Sequence, residues 1–293
     1  MLFIRELEFT VGEQCDGMKA QTFLRSVCHL SYKLVVRLKR VENGITENGR
    51  HIRTIDRLTA GSVVRVRLPE DDISVEPYDM PLDIVFEDED ILVIDKPAGM
   101  AVHPSPGHDT ATLANAVSAY FLRQGKTLGF RPIYRLDKDT SGLILIAKNT
   151  FCASRLGKNV QKRYYAVAQG EIKETGTLDL PIIIAPGHSI QRSVGEGGIS
   201  AVTHYVPLCV HEGNTLLEIE LETGRTHQIR VHFSHIGHPL AGDDMYGGKR
   251  DIINRQALHC GKLWFTHPVT GEEMKFNCPL PEDIKKITGG YEI

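Results

Sequence analysis

The chain has 293 residues, 41% of them hydrophobic and 24% charged, with a net charge of −3; this is the balance of a soluble globular protein of one large or two unequal domains. No run of about 18 apolar residues occurs, so no membrane span is expected, and the acidic, strand-like start "MLFIRELEFTVGEQ" lacks the layout of a signal peptide. The six cysteines are scattered without a C-x-x-C pair, which argues against a zinc site or a disulfide scaffold and for reduced thiols in a cytosol.

Residues 1–70 read as a small domain. Helices are expected between Gln21 and Arg40, Asn43-Gly44 and Asn48-Gly49 are turn signals, and the alternation of "SVVRVRLP" makes a strand of Ser62–Leu68. Positive charge concentrates here. Between Thr22 and Arg67 ten basic residues stand against three acids, a local +7 that leaves −10 for the remainder. Such a patch suits a phosphate backbone, and Arg25, Lys33, Arg37, Lys39 and Arg40 are its candidate RNA contacts. Helix, helix, Gly-rich hairpin and final strand, all basic, resemble the small S4-like RNA-binding domain.

Residues 71–83, acidic with two prolines, read as a linker. A larger domain, 84–293, follows. It opens with a hairpin, Ile84–Phe86 and Ile91–Ile94, and a Pro- and Gly-rich loop. Helical periodicity occurs at Leu113–Leu122 and Phe151–Val160. Strands are expected at Leu143–Ala147, Tyr164–Gln169, Ala201–Leu208 and Leu216–Glu222, and a short helix at Thr226–Ile236, stopped by Gly237 and Pro239. Leu258–Phe265 and Glu273–Phe276 suggest a closing hairpin, and Pro281–Ile287 a last helix. Strands outnumber helices and are often sequential, which predicts an α+β fold with a mixed, largely antiparallel sheet.

Three motifs carry the chemistry. In "IYRLDKDTSGLILIAKN" four charged residues lie between Arg135 and Thr140, just before an apolar run. Asp137 either caps a turn or pairs with Arg135, or it is a nucleophile held rigid at the end of a buried strand. In "ETGRTHQIRVHFSHIGHPLAG" Arg225 stands at a strand-to-helix junction, where its guanidinium can pair with a carboxylate and keep it ionised. His227, His232, His235 and His238 would spread over about 140° of a helix at 100° per residue; no metal is expected, and packed or RNA-facing imidazoles are the preferred reading. In "VQKRYYAVAQG", Tyr164 and Tyr165 point to opposite faces of a strand, one of them available as a platform for a base. No phosphate-binding, nicotinamide, flavin or ATP fingerprint occurs, and no cofactor is expected.

The ordered segments "KPAGMAVHPSPG", "RLDKDTSGLILIAKN", "KRYYAVAQG", "ETGRTHQIRVH", "GHPLAGDDMYGG" and "LHCGKLWFTHPVTGEE" closely resemble the RluA-type family of pseudouridine synthases, over about residues 84–287. The resemblance implies a mixed sheet with a cleft, isomerisation of uridine to pseudouridine in RNA, and neither cofactor nor metal. It matches Asp137 to the family's nucleophile, Tyr164 to its active-site tyrosine, and Arg225 to the arginine that pairs with the aspartate. Arg135 would contact phosphate or the flipped-out position. One departure stands out: Tyr134 occupies the place where the family usually has histidine, so it is expected to position substrate or strand rather than shuttle a proton. Large-subunit ribosomal RNA is the expected substrate, with transfer RNA the alternative, and a cytoplasmic monomer the expected form. A non-catalytic RNA-binding or assembly protein and an N-ribosyl hydrolase are the rival readings.

Overall fold

The computed structural model describes residues 3–69, 75–105, 110–157 and 159–293. The first sheet has four strands in the order β1-β4-β2-β3: β1 Phe3–Thr10, β2 Ile45–Glu47, β3 Arg50–His51 and β4 Val63–Pro69. In β4 the alternation read from sequence is real: Val64, Val66 and Leu68 are buried, while Val63, Arg65 and Arg67 are half-exposed. Asn48 and Gly49, at the tip of the β2–β3 hairpin, both have positive φ (47° and 83°), as a type I′ turn requires.

The expected helical stretch before that hairpin is broken in two. Helix α1, Ala20–Thr22, runs into a π-turn at Phe23–Val27, and α2 spans Tyr32–Leu38. The Ser31 side chain accepts from the Leu34 amide and caps α2. Leu34, Val35 and Leu38 face the sheet, which leaves Lys33, Lys39 and Arg40 exposed.

The chain then builds a nine-stranded sheet: β5 Asp83–Glu87, β6 Ile91–Lys96, β7 Ser141–Ala147, β8 Gln161–Gln169, β9 Gly176–Asp179, β12 Val202–His211, β13 Asn214–Leu221, β14 Leu258–Thr266 and β15 Glu273–Asn277. Its main path runs β5-β6-β7-β14-β8-β13-β12-β9, with β15 on β14. Among the described residues the one parallel pair of strands is β7 with β14. A two-stranded ribbon, β10 Ile182–Ile184 and β11 Arg192–Val194, stands apart. Helices α3 Leu113–Arg123, α4 Thr150–Leu156, α5 Gln228–His235 and α6 Glu282–Ile287 complete the fold. It is α+β and largely antiparallel, as expected.

All seven residues of β7 are buried, which explains an apolar run without alternation: a central strand covered on both faces has no solvent side. Gly142 in this strand has φ of 109°, and a Cβ there would meet the backbone of Cys260, its partner on β14, at 2.7 Å from the amide nitrogen. Only glycine allows β14 so close.

Three expectations change. Strands β9 to β11 escaped the sequence reading, being three or four residues long and flanked by Gly and Pro. Helix α5 begins at Gln228 rather than Thr226 because His227 adopts a left-handed backbone, φ 57°. In the stretch expected to be a linker, residues 70–74 lie outside the described residues. The following segment packs on α3, where the Asn115 amide donates to the Glu76 carbonyl at 2.7 Å. The first sheet also touches the rest of the chain: Arg5 of β1 pairs at 3.1 Å with buried Asp90 in the turn between β5 and β6, and the rings of Phe9 of β1 and Phe151 of α4 meet edge-on.

Candidate active site

Asp137 lies in the turn that feeds β7, and that turn is tied from three directions. The Thr140 amide donates to the Asp137 carbonyl at 3.1 Å. Lys96 at the end of β6 donates to the Lys138 carbonyl at 3.0 Å, and to those of Pro97 and Met100 at 2.8 and 2.9 Å. Arg255 donates to the Asp139 carbonyl at 3.0 Å while gripping Asp283 of α6 with both sides of its fork. Three successive carbonyls therefore have fixed donors, and the Asp137 side chain at the head of the three is held by a backbone with little freedom. Lys96 is wholly buried. Burial pushes its amine down to about 7 against the pull of Asp139 and Asp137, while its three carbonyl acceptors match the three protons of an ammonium.

The carboxylate meets a cation, but not the expected one. Arg230 Nη1 stands 3.1 Å from Asp137 Oδ2. Its Nε and Nη2 form a bidentate pair with Asp243 at 2.7 and 2.8 Å, and its guanidinium lies 4.9 Å from the centre of the Tyr246 ring. The side chains of Arg230 and Asp243 are 6% and 1% exposed. Burial works against the Arg230 charge, yet the hydrogen bonds and charge of Asp243, with Asp137 behind it, raise its affinity for the proton above the ordinary range. Arg225 is exposed and donates instead to the Ser200 carbonyl at 3.0 Å. The local fold explains the exchange. Arg225 sits in the turn before α5, closed by its own amide on Gln228 at 3.0 Å. The left-handed His227 then starts the helix, so the third helical residue faces the aspartate. The arginine expected at 225 is supplied by 230.

His227 also reaches the site. Its Nε2 is 3.8 Å from Asp137 Oδ2, and its Nδ1 is 2.8 Å from the Tyr246 hydroxyl. The other three histidines of the segment do separate things. His232 lies between the Thr203 hydroxyl and the Leu180 carbonyl, both at 2.9 Å, and His238 bonds the Gln169 carbonyl at 2.8 Å; His235 ends α5.

Tyr164 and Tyr165 take opposite faces of β8, in separate apolar clusters. Tyr165 donates to Glu218 at 2.8 Å. Tyr164 is 6% exposed; burial, with the nearby Cys260 and Asp137, pushes its phenol well above the ordinary value. That disfavours the phenolate a proton acceptor would need and leaves its ring as the useful part. Tyr134 turns inward: its hydroxyl donates to the Leu143 carbonyl of β7 at 2.8 Å, and Lys162 Nζ sits 4.5 Å from the ring centre. Arg135 is exposed beside the turn.

The basic patch on the first sheet is smaller than counted. The β1–β4 register sets Glu8 opposite Arg65 and Glu6 opposite Arg67, and each pair closes at 2.6 Å. Arg53 is taken by Asp56 at 3.0 Å. The exposed basic face is carried by Arg25, which lies 5.5 Å from the ring of exposed Tyr32, and by Lys33, Lys39, Arg40 and Arg50, with half-exposed Arg37 among them. Sequence reading missed Arg230, His227, Tyr246, Asp243, Lys96 and Arg255. All but Arg255 lie in motifs already singled out, and only their partners identify them.

Residues 90–235 match the sequence profile of the RNA pseudouridylate synthases. An RNA pseudouridine synthase of Bacillus subtilis strain 168, YjbO, is 41% identical over 271 residues, covering 89% of this chain and 95% of that protein. Ribosomal large subunit pseudouridine synthase D of Escherichia coli K12 is 40% identical over 237 residues, 74% of this chain and 73% of that protein. Among solved structures, human RNA pseudouridylate synthase domain containing 1 superposes with a TM-score of 0.58 at 28% identity, covering 74% of this chain and 91% of that one.

Proposed function

The chain belongs to the RNA pseudouridine synthase family and is an isomerase acting on RNA, and from that premise we propose that Asp137 is its nucleophile, Arg230 the partner that keeps Asp137 ionised, and Tyr164 the ring that packs the target base. In the reaction the N1–C1′ bond of a uridine breaks, the uracil turns, and C5 bonds to C1′; the proton on C5 is lost and N1 gains one. The carboxylate of Asp137 traps the sugar or the ring meanwhile. The base must leave its stack first, at about a few kcal/mol. Water must be kept out, or free uracil would escape.

One observation carries the assignment. Asp137, at the head of a fully buried strand, receives a guanidinium that is itself locked on the buried Asp243. A charge arranged in advance costs little reorganisation when the reaction begins. Tyr134, where histidine was expected, spends its hydroxyl on a strand carbonyl, which supports packing as its role.

The RNA is proposed to be large-subunit ribosomal RNA, on the strength of the Escherichia coli relative's name. The N-terminal sheet, residues 1–70, serves as an S4-like RNA-binding module, joined by residues 71–83 to the catalytic part, 84–293. Arg135 meets the substrate at the cleft mouth. The protein acts as a monomer in the cytoplasm without a cofactor. Asp137→Asn tests the core of the proposal: tritium release from C5-labelled uridine in a transcript should fall by at least about a thousandfold, the scale of losing a group that acts only in the transition state. RNA affinity should stay within about threefold. Near wild-type release would eliminate Asp137, and free uracil among the products would identify a hydrolase instead. Mapping pseudouridines in RNA from cells lacking the protein identifies the target.

A further inference from the structure

Among the described residues of the Asp137 site, His227 is the one non-glycine with a left-handed backbone. Such strain persists where the surroundings over-determine it. It stands at the N-cap of α5, yet its side chain makes no capping bond, so the ordinary reason for a polar residue there is missing. Instead the ring is turned into the site, its side chain 10% exposed, with an edge toward Asp137.

The hydrogen bonds around it run in one direction. The Arg192 amide, which can only donate, gives to the Tyr246 hydroxyl oxygen at 3.0 Å. Tyr246 can then donate its own proton to His227 Nδ1 at 2.8 Å. That leaves the N–H of a neutral imidazole on Nε2, facing Asp137 Oδ2 at 3.8 Å. Arg230 Nη1 approaches the same oxygen at 3.1 Å. Among the described residues no side-chain donor reaches Oδ1.

On the reading of Asp137 as nucleophile, we infer that His227 is a positioning residue: with Arg230 it fixes Oδ2 and thereby turns Oδ1 toward the uridine. The 3.8 Å gap closes to a hydrogen bond when bound RNA expels water, as contacts at reacting groups commonly tighten in the complex. With Nδ1 occupied by Tyr246 and Nε2 carrying the proton, His227 has no lone pair for the C5 proton, so its task is geometric. The Tyr246 hydroxyl selects the tautomer, and the ribbon strand β11, through the Arg192 amide, holds that hydroxyl.

Two substitutions separate positioning from packing. Asparagine tolerates a left-handed backbone and reaches Tyr246, but it is too short for Asp137. Glutamine places an amide N–H about where Nε2 stands. The single-turnover rate at saturating RNA should drop about 30-fold or more in His227→Asn, on the scale of a 1 Å misplacement. His227→Gln should recover to within about fivefold of wild type, with RNA affinity within about twofold in both. Tyr246→Phe keeps the ring over Arg230 and removes the hydroxyl; it should lose about fivefold, and nothing further when added to His227→Asn, because the two act as one unit. A fully active His227→Asn, a His227→Gln as slow as His227→Asn, or simple multiplication of the His227→Asn and Tyr246→Phe losses each overturns the inference. An active Asp137→Asn would bring down the nucleophile reading itself, whereas an inactive Asp137→Asn beside an active His227→Asn sinks only the role of His227.

Discussion

Across the β1–β4 pair of the four-stranded sheet, charges pair on the exposed face: Arg65 and Glu8 meet at 2.6 Å with side chains 39% and 57% exposed. The larger part of the chain has exposed pairs of its own, such as Lys275 with Glu273, but it also pairs charges away from solvent, as Arg230 does with Asp243 and Lys148 with Glu87, at 2.7 Å in each case. Both are arginine- or lysine-carboxylate contacts of similar length, yet they are worth different things. An exposed pair contributes about 0–1 kcal/mol and is screened by salt. A buried pair has given up its hydration and fixes geometry, and removing one member leaves the other stranded. The first arrangement suits a surface that grips and releases a polyanion; the second suits a site where a carboxylate must stand still. On the proposed reading, substrate capture and catalysis fall to different electrostatic regimes of one chain.

The sharpest way to break this contrast is Arg230→Met. It strands Asp243 in the interior and removes the partner of Asp137, so stability should fall by about 3–5 kcal/mol and activity by more than about a hundredfold. Urea unfolding and tritium release measure the two. Arg225→Lys, by contrast, should stay within about threefold of wild type, since an exposed side chain on a carbonyl is lost. Equal losses at 225 and 230 would erase the distinction.

On the first sheet, replacing Lys33, Arg37, Lys39 and Arg40 together by glutamine should weaken RNA binding about tenfold or more at low salt and flatten its dependence on salt, because fewer counterions are released. The single-turnover rate at saturating RNA should not move. An unchanged salt slope would leave this face without a role in binding.

Acid offers a third probe. His232 and His259 in the catalytic part are buried and His227 is largely so, and burial lowers all three imidazoles below their ordinary value. Between those lowered values and about 6.5 the unfolded chain binds protons that the folded chain refuses, so stability falls as pH drops through that window. In the first sheet both histidines are exposed. Asp56 is held below the ordinary carboxylate value by hydrogen bonds from Arg53, so its contribution is present above about pH 4 and lost only below. Amide exchange, corrected for intrinsic rates, should therefore show β12 and β13 losing protection at pH 5 before β1 and β4 do. The reverse order would contradict the assignment. Smallest of all, Arg65→Gln should change stability by less than about 1 kcal/mol and RNA affinity by less than about twofold, because Glu8 already neutralises Arg65.

What could be read from the chain was whatever a local pattern encodes. The unbroken apolar run marked β7 and so placed Asp137; alternation marked β4; two adjacent tyrosines on a strand had to face opposite ways. What could not be read depended on where backbones turn. Arg225 and Arg230 are five residues apart in one motif, and the choice between them rests on the left-handed turn at His227 that delays α5 by two residues. The estimate that spread four histidines over one helical face failed because only His232 and His235 lie within α5. The +7 patch was overcounted because Glu6 and Glu8, far away in sequence, lie beside Arg65 and Arg67 across the β1–β4 pair. Pairings between distant segments are invisible to composition.

Gly142 bears on how such a protein changes over time. Every substitution there adds a side chain that meets the Cys260 backbone, and it does so in a backbone conformation that L-residues avoid. Any non-synonymous change of its codon would wedge β7 from β14 and shift the turn that carries Asp137. That position is closed to drift. If the proposed roles hold, a lineage that acquires a new target RNA does so through parts that yield without moving the strand: exposed Arg135 beside the turn, the β10–β11 ribbon, and the exposed face of α2.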